Sequence, residues 1–199
     1  MRSTLQSGAV QVILGIDPGA HGAFALYDPA TGKLGGEITD MPTWQQQVGR
    51  TKRLRIDPIA LAQFFDMLPL LGVDLIVMEA VGGYGKQPGS AGFQFGYGVG
   101  LVAMCCVYAR IPYETVVPSV WKQMLNVPGK KKATDDGIMQ RALQLFPEAV
   151  AQFHGPQGGK KIDRAEAAMI ARYGGEFLYP HMKRSIDFET LVRNADTGA

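Results

Sequence analysis

The chain has 199 residues, 46% of them hydrophobic, and 20 Lys and Arg against 18 Asp and Glu leave a formal charge of +2. Folding at this size hides roughly 70% of the unfolded chain's surface, which excludes any need for disulfide or metal staples. The near-balance of charge excludes a histone-like polyelectrolyte, so affinity for nucleic acid has to come from local clustering.

In chain order, Met1 to Val10 lacks a charged segment followed by an apolar one, and no stretch approaches eighteen uninterrupted apolar residues. The expectation is a chain that is neither exported nor membrane-spanning. One domain is predicted over residues 10–178, between loose arms at 1–9 and 179–199. The β-branched run Val10 to Ile16 stops at Asp17-Pro18-Gly19 and reads as a buried strand entering a turn. Gly22 to Tyr27 and Lys33 to Asp40 follow at hairpin spacings and predict an antiparallel three-stranded meander. Asp57-Pro58 opens a helix whose apolar face is Ile59, Leu61, Ala62, Phe65 and Leu68, ended by Gly72. Val73 to Met78 is a second buried strand, ending in Glu79, and a strand after a helix joins its sheet in parallel.

Beyond a glycine-rich loop at Gly82 to Gly89 comes the apolar segment Ala91 to Ala109, which holds Cys105 and Cys106. Adjacent cysteines build neither a disulfide framework nor a zinc site, so inert core thiols in a reducing cytoplasm are expected. A strand near Tyr113 to Val117, helices beginning at Pro118 and Thr134, and a last helix from Asp163 to Gly174 complete the chain. The fold class is α/β: a mixed five-stranded sheet, three strands antiparallel and two parallel, flanked by helices.

Three placements of acids carry chemistry. Asp17 and Glu79 each end an apolar strand, and in an open sheet such positions converge on the ligand crevice. Asp163 and Glu166, spaced i,i+3, share a face of the final helix. Two carboxylates about 4 Å apart repel by roughly 4 kcal/mol at an effective dielectric of 20, so a cluster of four calls for a cation. All-oxygen ligands select Mg²⁺ or Mn²⁺, and two such ions can clamp an in-line phosphodiester hydrolysis. Taken singly, Asp17-Pro18-Gly19 is an ordinary turn and Asp163 an ordinary N-cap; Glu79, at the end of Leu75 to Met78, is costly to bury without a partner.

Ile16-Asp17-Pro18-Gly19, Val77-Met78-Glu79-Ala80-Val81 and Asp163-Arg164-Ala165-Glu166-Ala167 resemble, in order and strand context, the RuvC-type Holliday-junction resolvases of the ribonuclease H-like superfamily. The resemblance spans Val10 to Tyr173 and implies a homodimer that binds four-way DNA junctions and nicks two strands symmetrically, with Mg²⁺ on Asp17, Glu79, Asp163 and Glu166. Two departures stand out. The family usually has Asp where this chain has Glu166, and Gly82 occupies the place of an aromatic residue associated with opening the junction, for which Tyr84 is the candidate substitute.

Basic residues do cluster: Arg50, Lys52, Arg53 and Arg55 lie in an acid-free stretch from Met41 to Ile56, and Lys122, Lys130, Lys131 and Lys132 in another from Thr115 to Thr134. Such patches neutralise phosphates without reading bases; a solvated loop explains the first stretch nearly as well. Trp44, Tyr84 and Trp121 are candidates for stacking on unpaired bases, with buried packing the alternative for the tryptophans. Gly92, Gly96 and Gly100 form a stripe that costs a helix about 1 kcal/mol per glycine. It is offset either by the close approach of a second chain, where the resemblance puts the dimer helix, or by packing on the chain's own sheet. Three rival activities remain open: an actin-like kinase, a junction binder without catalysis, and a nuclease for other branched DNA or RNA/DNA hybrids.

Overall fold

The computed structural model describes residues 11–82, 89–128 and 135–182. Strand β1 (Val12–Asp17) pairs antiparallel with β2 (Ala23–Asp28), placing Asp17 opposite Ala23. The third antiparallel position is filled by two short strands, β3 (Lys33–Leu34) and β4 (Thr39–Asp40), both on β2. The single strand expected over Lys33 to Asp40 is interrupted at Gly35-Gly36, where Gly36 takes φ 139° and breaks the ladder.

Within the acid-free basic stretch, β5 (Thr43–Val48) and β6 (Thr51–Ile56) form a separate antiparallel hairpin that the sequence pattern does not predict. Gly49 and Arg50 are its two-residue turn, Gly49 at φ 60° supplying the left-handed first position that such turns require. Both faces of this ribbon meet solvent along most of its length, so glutamines and arginines stand where an apolar alternation would have announced a strand.

Helix α1 (Pro58–Met67) is capped by Asp57, whose Oδ1 accepts from the Ile59 and Ala60 amides at 2.9 and 3.1 Å. It leads into β7 (Val73–Glu79), parallel to β1 with Ile16 beside Met78. Then come α2 (Gly89–Tyr108), β8 (Tyr113–Val116) parallel to β7, α3 (Pro118–Met124) and α4 (Asp135–Leu145). A 3₁₀ segment (Pro147–Phe153) that the sequence did not announce precedes α5 (Ile162–Tyr173). Helical structure continues past Gly174 through a π turn (Gly174–Leu178) to residue 182, with Tyr179 and Met182 against the core. The main sheet runs β3-β2-β1-β7-β8, with β4 also on β2.

The sheet separates two cores. Leu14, Ile16, Phe24, Ile76 and Met78 face α1 and α2; Ile13, Ala25, Leu75 and Val77 face α3, α4 and α5. Period-two alternation then sends Asp17, in phase with Ile13, and Glu79, in phase with Leu75 and Val77, toward the α5 side. Gly15 makes that side tight: a Cβ there would collide with the Ala167 carbonyl and the Ala171 amide. Alanines at 165, 167, 168 and 171, all fully buried, complete the close approach.

Helix α2 is covered on only one edge. Its Ala91–Tyr108 stretch has a mean hydropathy of 1.4, with 11% of its residues buried, and is long and apolar enough to cross a membrane by length and composition only. The uninterrupted-run criterion missed it because Gln94 and the glycines dilute it. Its inner edge is anchored in the core through Val102 and Cys106.

Candidate active site

The C-terminal ends of the adjacent parallel strands β1 and β7 bring Asp17 and Glu79 side by side, and the head of α5 lies over them. Asp17, Glu79 and Asp163 line one cavity of about 630 Å³. Glu166, one turn on, points its charge at both Asp17 and Glu79. Asp17 responds: burial, then the charges of Glu166, Asp163 and Glu79, push its carboxyl up to about 8, with Lys122 opposing. Glu79 is also raised, chiefly by burial, with the Trp121 hydrogen bond and Lys122 pulling the other way.

Two residues of α3 organise the acids. The buried Trp121 donates from Nε1 to Glu79 Oε2 at 2.9 Å, which fixes that carboxylate and settles the tryptophan as packing rather than a stacking platform for bases. Lys122 lies over the same indole, its Nζ 4.8 Å from the ring centre, and forms a 2.8 Å ion pair with Glu166 Oε1. The head of α5 is held from the other side by Arg164, which grips Asp40 of β4 through Nη2 at 2.9 Å and donates to the Gln152 carbonyl. Arg164 draws the Asp40 carboxyl below its ordinary range.

Among the described residues no three His, Cys, Asp or Glu side chains close around a single point as a ready ion site. The donor set nevertheless suits a hard cation: it is all carboxylate, burial and then the neighbouring acids drive Asp17 toward its neutral form, and the ammonium of Lys122 on Glu166 offsets only part of that charge.

Of the basic candidates, Arg53 reaches the cavity, while Arg50 and Lys52 stand exposed at the hairpin's turn end. Tyr84, Lys130, Lys131 and Lys132 lie outside the described residues. Arg55, His21, Phe95 and Tyr97 also line the cavity; Arg55 belongs to the acid-free basic stretch and His21 stands four residues from Asp17. Phe95 and Tyr97 were hidden in a helix read only for its glycines.

In the main sheet, order β3-β2-β1-β7-β8, the small-residue helix α5 packs across β1, β2 and β7, and the same fold recurs among solved Holliday-junction resolvases. No family model matches the chain, and no curated protein matches it. Among solved structures, RuvC of T. thermophilus in complex with a Holliday junction substrate aligns with TM-score 0.51 at 14% identity, over 86% of this chain and 96% of that one. A second structure of Thermus thermophilus RuvC gives 0.47 at 16% over 82% and 95%. The yeast mitochondrial Holliday junction resolvase Ydc2 gives 0.48 at 17% over 80% and 75%.

Proposed function

We propose that the chain is a divalent-ion-dependent endodeoxyribonuclease that resolves four-way DNA junctions by paired, symmetric nicks, working as a homodimer in a reducing cytoplasm. The observation that carries the reading is the gathering of Asp17, Glu79 and Asp163 in one cavity with Glu166 pressing on two of them. Support for the junction as substrate comes from the fold it shares with a RuvC solved on that DNA.

Asp17, Glu79, Asp163 and Glu166 would hold Mg²⁺, with Mn²⁺ as a substitute; when bound, the metal supplies Lewis-acid charge to the phosphodiester. The residues themselves do the rest. Trp121 keeps Glu79 in one rotamer. The Asp40–Arg164 pair holds α5 against β4, so Asp163 and Glu166 stay in place. Lys122, once relieved of Glu166, would offer its ammonium to a phosphate oxygen beside the acids, and Arg53 supplies a second cation in the cavity lining.

The dimer is assigned to α2. Among the described residues nothing lies within 4 Å of a Cβ built at Gly92, Gly96 or Gly100, so the glycine stripe faces away from the described body of the chain, and Phe93 (67% exposed), Met104, Val107 and Tyr108 flank it. An apolar face with a glycine groove fits a second copy of the same helix better than water.

Labelled four-way, flap and RNA/DNA hybrid substrates incubated with Mg²⁺ or Mn²⁺ test the reading. The expected result is paired, ligatable nicks in the four-way junction, with Asp17→Asn retaining junction binding and losing cleavage. The rival is a junction-binding protein without catalysis, favoured by the ion pair that Lys122 already makes with Glu166. Wild-type protein that binds junctions but leaves every substrate uncut in both metals establishes the rival.

A further inference from the structure

The β5–β6 hairpin is fixed to the body of the chain at its root. The Asp57 amide donates to the Pro42 carbonyl at 2.9 Å, and Ile56 is buried, its Cδ1 3.0 Å from where a Cβ on Gly98 of α2 would stand. Arg55 Nε donates to Gln46 Oε1 at 2.9 Å and ties the two strands together above that root. Beyond Gln46 the ribbon is bare. Gln47, Val48, Gly49, Arg50, Thr51 and Lys52 are all exposed, and among the described residues the two strands pair only with each other. A two-stranded ribbon with no packed face is marginally stable in water, so a partner that covers this one would add to its order.

Charge and shape select that partner. From Met41 to Ile56 the chain carries Arg50, Lys52, Arg53 and Arg55 with no acid, and among the described residues none of the four has a carboxylate partner. Such a surface attracts a polyanion. Arg53, Leu54, Arg55 and Ile56 line the cavity that holds Asp17, Glu79 and Asp163, so the ribbon rises from the rim of the acid site. A single strand needs a groove of the protein to lie in, and a protruding rod offers none. A rod fills a groove instead. The major groove of B-form DNA, about 12 Å wide, admits a two-stranded ribbon. The six residues of β6 reach roughly 20 Å at about 3.3 Å each, the length of about six base pairs.

We propose that the distal half of the hairpin, Gln47 to Lys52, seats in the major groove of a duplex arm of the junction, with Arg50 and Lys52 on its phosphates and base edges. The proposal rests on the junction-nuclease reading and deepens it, naming a part of the DNA held outside the acid site. Arg53 and Arg55 stay at the cavity, so the ribbon ties the position of the arm to the position of the cut.

Dimethyl sulfate methylates guanine N7 in the major groove and adenine N3 in the minor groove, so it reports which groove is filled. Four-way junctions bound to the Asp17→Asn chain, which leaves the DNA whole, are probed beside two further variants in that background. In one, residues 47–52 are replaced by Asn-Gly. This closes the ribbon on the Gln46–Arg53 pair, of the same hydrogen-bonding class as Val48–Thr51, and keeps a two-residue turn. The other combines Arg50→Gln with Lys52→Gln, which keeps every strand pair and removes the charge. Protection of guanine N7 is expected in an arm within about six base pairs of the cut. Both variants should lose it and bind the junction roughly tenfold more weakly, the charge variant lowering the slope of log affinity against log salt by about two. Open N7 on every arm of the bound junction, protection of adenine N3 alone, or N7 protection that survives in either variant overturns the groove assignment and leaves the nuclease reading standing. A trimmed chain that sediments as a smaller species than its parent assigns the ribbon to contacts between copies and overturns it as well. A parent chain that binds no junction overturns the nuclease reading itself.

Discussion

Asp17 holds the largest electrostatic stress at the site, and its consequence is measurable. A carboxyl raised to about 8 from 3.8 is mostly protonated at pH 7 in the ion-free chain. Between about pH 4 and 8 the folded state therefore binds more protons than the unfolded state, so stability falls as pH rises through that window and levels off above it. The shift of Glu79 acts in the same direction. Asp17→Asn, neutral at every pH, should relieve about 2 kcal/mol at pH 8, or roughly 5 °C in melting temperature with chelator present, and change little at pH 4. On the proposed metal-dependent reading, adding Mg²⁺ should stabilise the wild type more than the variant, because an ion held only by the folded acid cluster shifts the equilibrium toward the folded state. A wild-type melting temperature that stays flat from pH 4 to 8 in chelator would contradict the burial of Asp17 among like charges.

At the scale of the elements, the contact of α5 with β1 sets the distance from Asp163 and Glu166 to Asp17, and Gly15 sets that contact. Gly15→Ala places a methyl against backbone atoms of Ala167 and Ala171, which cannot rotate aside as a side chain would. It should cost about 3 kcal/mol in urea unfolding and lift the head of α5, lowering Mg²⁺-dependent stabilisation along with stability; wild-type-like unfolding would refute the close approach. This geometry was partly legible. Val12 to Asp17, Val73 to Glu79 and the alanine-rich α5 are each punctuated by residues with one local meaning, and period-two alternation alone puts both strand-end acids on one face. The hairpin was not legible, because a ribbon wet on both faces has no apolar period and Gly49-Arg50 is a weaker turn signal than Asn-Gly. Nor was the ion pair of Lys122 with Glu166, since it depends on how α3 docks beside α5 and not on any spacing between them.

For the whole molecule, the question is what covers α2. Twenty residues of helix expose Phe93, Tyr97, Met104, Val107 and Tyr108 while only its inner edge reaches the core. Left bare, a face of this kind invites association, and the glycines allow a partner helix to approach backbone to backbone. In the proposed dimer the groove would be self-complementary only if Gly96 and Gly100 stay empty, and a Cβ at either position stands more than 4 Å from this chain's other described atoms, so Leu there would fill the groove. Gly96→Leu and Gly100→Leu should therefore sediment as monomers with an unchanged or slightly higher melting temperature of the monomer, since Gly to Leu in a helix interior is favourable by itself. Each variant should still hold its acids in place, so stabilisation by Mg²⁺ persists while the two nicks of a junction become uncoupled, singly nicked DNA accumulating before the second cut. A wild-type chain that sediments as a monomer, or glycine variants that remain dimeric, would move the interface elsewhere. Partition of the wild-type chain into lipid vesicles, with the variants unaffected, would assign the same face to a membrane instead.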